Sequence, residues 1–81
     1  RLSAGAAVRT YLVPDAWVGR SLRELEVRAR RVVSVIALRR GGIDAGVDPG
    51  DSFAKDEQIV VMGEERDLDR FASGVGAHPA A

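Results

Sequence analysis

The stretch Val32-Val33-Ser34-Val35-Ile36-Ala37-Leu38 decides the reading of the fold. It is the strongest strand signal in the chain, rich in β-branched residues and bounded by arginines. Its apolar residues fall on both parities. Val33, Val35 and Ala37 share one face, and Val32, Ile36 and Leu38 share the other with Ser34. A strand that is apolar on both faces needs cover on both sides. In a chain of 81 residues with two short helices, part of that cover is expected from a second copy.

Toward the C-terminus, Arg39-Arg40-Gly41-Gly42 ends this strand in solvent and turns the chain. Residues 43–52 hold three Gly or Pro and three Asp, a loop with room for a brief extended segment. Ile59-Val60-Val61-Met62 is a further short strand. After Gly63, the acids Glu64 and Glu65 suit the positive end of a helix. Leu68, Phe71 and Ala72 then repeat at helical spacing, so a final amphipathic helix runs to about Ser73 with Gly74 as its cap.

Toward the N-terminus, Ser21 and Glu24 form a capping box at the start of a helix over about Leu22 to Arg28, with Leu22, Leu25 and Ala29 as its apolar stripe. Residues 8–13, VRTYLV, read as a first strand stopped by Pro14. Trp17, the only tryptophan, is expected to plug the space over the helix. The fold class is therefore α+β: a small β-α-β-β-α domain with a mainly antiparallel sheet and two short helices, dimeric. Residues 1–7 read as a linker from a preceding domain, 8–73 as the domain and 74–81 as a flexible tail.

Composition excludes several function classes. No cysteine is present, which removes disulfides, thiol catalysis and Cys-based zinc sites, and favours a cytoplasmic location. Twelve basic and twelve acidic residues cancel, so the electrostatic footprint of a nucleic-acid binder is missing and no nucleic-acid partner is expected. No stretch approaches the roughly 18 apolar residues of a membrane span. His78 is the single histidine and sits beside Pro79, so no nucleophile-and-base pair can be assembled and an enzyme is the least expected class. Asp48, Asp51 and Asp56 lack calcium-loop spacing; no metal site or cofactor is expected. The cluster Arg28, Arg30, Arg31, Arg39 and Arg40 reads mainly as a solvated rim, with Arg28 the best candidate for an anion contact because a guanidinium fork matches phosphate oxygens.

Taken in order, Val13-Pro14, Trp17-Val18-Gly19-Arg20-Ser21-Leu22-Arg23-Glu24-Leu25, Val27-Arg28-Ala29-Arg30, Val35-Ile36-Ala37-Leu38-Arg39-Arg40, Pro49, Phe53 and Ile59-Val60-Val61-Met62-Gly63 resemble the RCK C-terminal (TrkA-C) domain. The resemblance covers residues 8 to 72. Val32 stands where that family usually has Gly, Val47 where a Pro is frequent, and Asp56-Glu57 where Gly-Asp is common. The resemblance implies a homodimer that regulates a potassium channel, a potassium transporter or a potassium/proton antiporter, cytoplasmic and held at the membrane through that partner. It also implies cyclic di-AMP as regulatory ligand in the crevice between two copies, where a two-fold ligand meets a two-fold interface. Position by position, it assigns Leu22, Val27 and Val35 as apolar walls, Ser34 as a bond to the base edge, Arg28 to phosphate, and Val33 and Pro49 to the rim. The alternatives are a ligand-free structural dimerisation module and a cation-responsive regulatory domain of a potassium channel.

Overall fold

The computed structural model describes residues 5–28 and 33–80, of 26–28 the backbone alone. Strands β1 (Ala6–Leu12), β2 (Ser34–Arg40), β3 (Ile43–Ala45) and β4 (Gln58–Glu64) form one sheet in the order β1-β4-β2-β3, and every neighbouring pair is antiparallel. Helices α1 (Leu22–Arg28) and α2 (Glu65–Val75) complete an α+β domain. A single 3-10 turn over Asp15–Trp17 follows β1 and aims Trp17 inward.

Register fixes which residues share a face. Ile59 and Val61 of β4 lie opposite Tyr11 and Arg9 of β1 on one side, and opposite Leu38 and Val35 of β2 on the other. That face carries the core: Tyr11, Trp17, Phe53, Ile59, Val61, Leu68 and Phe71 are all buried. Trp17 is 2% exposed. Its ring stands 5.3 Å from Phe53 and 5.7 Å from Phe71, and Phe71 reaches Tyr11 edge-on at 5.8 Å. These separations suit offset and edge-to-face aromatic packing. The tryptophan is a plug, as its position after Pro14 leads one to expect.

The capping box forms as read from the sequence. Glu24 N–H donates to Ser21 Oγ at 3.3 Å, and Ser21 N–H donates back to Glu24 Oε1 at 3.3 Å. Leu22 and Leu25 of the expected stripe are buried, whereas Ala29 lies outside the described residues.

The central strand departs from expectation in two ways. It runs from Ser34 to Arg40 rather than from Val32 to Leu38. The arginines continue the ladder because β3 pairs with them, and because Asp44 and Glu57 neutralise them: Arg39 Nε donates to Asp44 at 2.6 Å, and Arg40 Nε donates to Glu57. Between Val35 and Ala37 the pairing with β4 shifts by one residue, leaving Ile36 bulged. The bulge reverses the parity. Leu38 joins Val35 on the core face, and Ala37 passes to the outer face opposite Val60. Ile36 and Ser34 are exposed, so the described residues do not cover the strand on both sides.

The loop after the central strand contains β3, reached through Gly41 and Gly42 at φ 56° and 81°. Two positive angles in a two-residue loop are what a type I′ hairpin demands, and glycine adopts them without strain. The first strand begins at Ala6, so residues 6 and 7 belong to the sheet rather than to a linker. Helix α2 continues to Val75, and its cap is Gly76 (φ 69°) rather than Gly74. The expected frayed tail is instead laid against β1. Leu12 N–H donates to the His78 carbonyl at 3.0 Å, Ala80 N–H to the Thr10 carbonyl at 2.9 Å, and Ala77 is buried in the core.

Candidate functional site

The sheet is covered unevenly. Helix α2 packs over β4 and β1, and the aromatic cluster fills the space beneath it. At the start of β2 the cover thins. Val33 and Val35 pack against the buried cluster that includes Leu22, yet both remain partly exposed. Leu22 within this cluster and Val33 and Val35 against it are the assigned apolar residues whose side chains the structure describes. Val33 is held there by a close approach: a Cβ built on Gly63 would lie 2.8 Å from Val33 Cγ1. Gly63 supplies the gap that the valine fills.

Ser34 stands on the opposite face, exposed and paired with Met62. A ligand touching both Val35 and the Ser34 hydroxyl must therefore reach around the first residue of the strand. Pro49 is exposed in the loop before Phe53, and its carbonyl accepts the Arg23 N–H at 3.0 Å, which ties that loop to the first turn of α1. The same tie is extended by Gly19 N–H to the Phe53 carbonyl and Phe53 N–H to the Arg20 carbonyl, both at 2.8 Å. Val27 and Arg28 are the last two residues of α1, and their side chains lie outside the described residues. So do Arg30, Arg31 and Val32.

A second concavity escaped the sequence reading. It has a volume of about 290 Å³, and Leu38, Ile43, Val47, Phe53, Arg40 and Asp51 are among the residues that line it. The signal that marks it is Ile43, a large apolar residue placed directly after the Gly-Gly turn and 72% exposed. Arg40 is not free to meet an anion there, because Glu57 accepts from it. Glu57 is buried, and its other carboxylate oxygen accepts the Ala54 N–H at 2.7 Å. Asp56 precedes it at φ 74°, a left-handed conformation that favours Gly and that Asp tolerates better than most residues. The Asp-Glu pair thus keeps the turn that Gly-Asp would make.

Two surface ion pairs shift the titration of their own members. The Arg39 guanidinium, hydrogen-bonded to Asp44, holds that carboxyl below its ordinary range. Asp69 raises the Arg9 guanidinium above its usual value across a 2.6 Å bond that joins β1 to α2. Among the described residues no group of three or more His, Asp or Glu side chains is placed to hold a metal ion. No helix among them is long and apolar enough to cross a membrane.

An antiparallel four-stranded sheet with two helices, one end of the sheet well covered and the other partly open, defines a small α+β domain. The chain belongs to the TrkA-C domain family, whose sequence model matches residues 8–74. Among solved structures, it is similar to the RCK (regulator of conductance of K+) C domain of the potassium transport protein KtrA, solved in complex with cyclic diadenosine monophosphate. The TM-score is 0.77 and the identity 21%, over 86% of this chain and 84% of that one. No match is found among curated proteins.

Proposed function

We propose that this chain is a non-catalytic regulatory domain that binds cyclic di-AMP at a homodimer interface and so controls a potassium/proton antiporter or a potassium transporter. The observation that carries the reading is the partly exposed pair Val33 and Val35, packed against the core cluster that includes Leu22, in a chain that belongs to the TrkA-C family. Apolar side chains left partly exposed at one end of a sheet suit an adenine face, and a second copy supplies the other half of the crevice. The choice of ligand is supported by the KtrA domain, which was solved with that dinucleotide. In this reading Leu22, Val27 and Val35 wall the base, Ser34 meets its edge, Arg28 meets phosphate, and Val33 and Pro49 close the rim. The domain works in the cytoplasm, and its partner is a membrane-embedded transporter or antiporter subunit.

Calorimetric titration with cyclic di-AMP tests this. The expected result is a saturable heat with one ligand per two chains. A folded dimer that gives no heat sinks the reading and leaves a structural dimerisation module. Arg28→Ala should weaken binding by on the order of 1.5–3 kcal/mol, the worth of a hydrogen bond to a charged group. An unchanged affinity removes Arg28 from the site.

A further inference from the structure

The segment Ala77–Ala80 lies beyond the span that the family model matches, yet it is bonded to the sheet. Its geometry is specific. Thr10 and Leu12 direct their outward backbone groups away from β4, and the tail takes both: Thr10 C=O accepts from Ala80, and Leu12 N–H donates to His78. Tyr11 and Pro79 face each other in an antiparallel bridge between these two bonds. On the tail, therefore, His78 C=O and Ala80 N–H point at β1, and the residue whose nitrogen faces away is Pro79, which has no hydrogen to donate. Among the described residues, the new outer edge of the sheet is blunted at the position where a further strand would look for a donor. Natural sheets manage exposed edges by such means, because an unpaired edge is a template for another chain.

We infer that the C-terminal segment is a cis-acting edge guard: it occupies the strand-addition surface of β1 at Thr10 to Leu12, which in its absence takes the β1 edge of a second copy. Three observations favour a second copy as the occupant. The uncovered β1 is a seven-residue edge. Val8 and Leu12 on it are 54% and 44% exposed, so an apolar row lies alongside the freed backbone groups. The formal net charge of zero sets up no repulsion between copies. Antiparallel pairing of β1 with its own copy is two-fold symmetric and closes on itself. This surface is separate from the Val33 and Val35 end of β2, so the inference does not depend on the ligand proposed above.

Sedimentation of a chain ending at Gly76, compared with the full chain across a concentration series, tests the guard. The truncated chain should gain a species of about twice the mass of whatever the full chain forms. Adding Leu12→Pro, which deletes the outward donor without touching the ladder to β4, should abolish that species. Equal masses for truncated and full chains overturn the inference, as does doubling that survives Leu12→Pro. Hydrogen exchange at Ile59 and Val61 reports whether the sheet itself persists. If truncation unfolds it, the full-length Ala80→Pro variant decides, because it removes one tail bond and leaves Ala77 in the core. Association of that variant supports the guard, and an unchanged mass overturns it.

Discussion

The two ends of the sheet are built from the same kinds of residue and treated differently by the fold. At the β1–β4 end, Tyr11, Ile59 and Val61 are sealed beneath Trp17, Leu68 and Phe71. At the β2–β3 end, Val33, Val35 and Ile43 have comparable hydrophobicity but incomplete cover. The contrast shows that apolar content does not tell a covered strand from a partly open one. What separates them is where the long helix lies. The 11 residues of α2 and the aromatic plug cover one end, and the described residues leave the other partly open. An apolar surface left open in this way is where an additional partner or ligand gains most by binding.

The strongest way to break the comparison is to remove the plug. Trp17→Ala deletes the ring that joins Phe53 to Phe71 and should cost about 3–5 kcal/mol, the range for truncating a buried aromatic. A chain this size is held by about 4–12 kcal/mol in total, so denaturant unfolding should find the variant marginal or unfolded at room temperature. A loss under about 1 kcal/mol, the level of an ordinary surface change, would show that the covered end is not what holds the domain together.

Gly63 joins the two ends, since it sits on β4 and leaves room for Val33. Gly63→Ala places a Cβ 2.8 Å from Val33 Cγ1, a contact that a stiff β-branched side chain cannot relieve by turning away. The expected loss is about 1–3 kcal/mol, typical of overpacking. Val33→Ala should restore part of it, so that a double-mutant cycle gives a non-additive term; strict additivity would mean the two residues do not meet.

Ser21→Ala acts on the open end alone. It removes the acceptor for Glu24 N–H and half of the capping box, for about 0.5–2 kcal/mol. Because Leu22 is the next residue, loosening this turn should also weaken cyclic di-AMP binding by more than the same loss of stability placed at Trp17's end. Equal effects would show that α1 does not order the crevice.

Much of this contrast could be read before the fold was known, and what could not has physical causes. Ser21 and Glu24 announced the helix because a capping box is local chemistry, and the order of strands and helices followed from punctuation by Pro14, Gly41-Gly42 and Gly63. The parity of β2 was misassigned, because a bulge is set by pairing with β4 and leaves no mark in a run of alternating apolar residues. The arginines at 39 and 40 read as the end of a strand because their partners, Asp44 and Glu57, are brought up by tertiary structure. The tail reads as frayed because Ala-His-Pro-Ala has no periodicity, and its docking rests on backbone bonds and one small buried side chain, Ala77, neither of which leaves a pattern in sequence. For the site, Leu22 lies in the core cluster and Val33 and Val35 pack against that cluster, while the placement of Ser34 across the sheet follows from register, which sequence spacing alone does not fix.

The smallest expected effect compares the surface ion pairs of the two ends. At the open end, Asp44 is bonded through both carboxylate oxygens to Arg39, at 2.6 and 3.1 Å, and its carboxyl is held below the ordinary value. A carboxyl with a depressed folded value contributes stability above its unfolded value, near 3.9, and loses that contribution as the pH falls through the folded one. Asp44→Asn should therefore lower stability by a constant small amount above about pH 4, and the gap between variant and parent should close below it. Both groups are solvated, so the effect belongs to the range of surface pairs and should fade in high salt. A gap that persists unchanged into strong acid would assign the loss to the hairpin's hydrogen bonding rather than to charge.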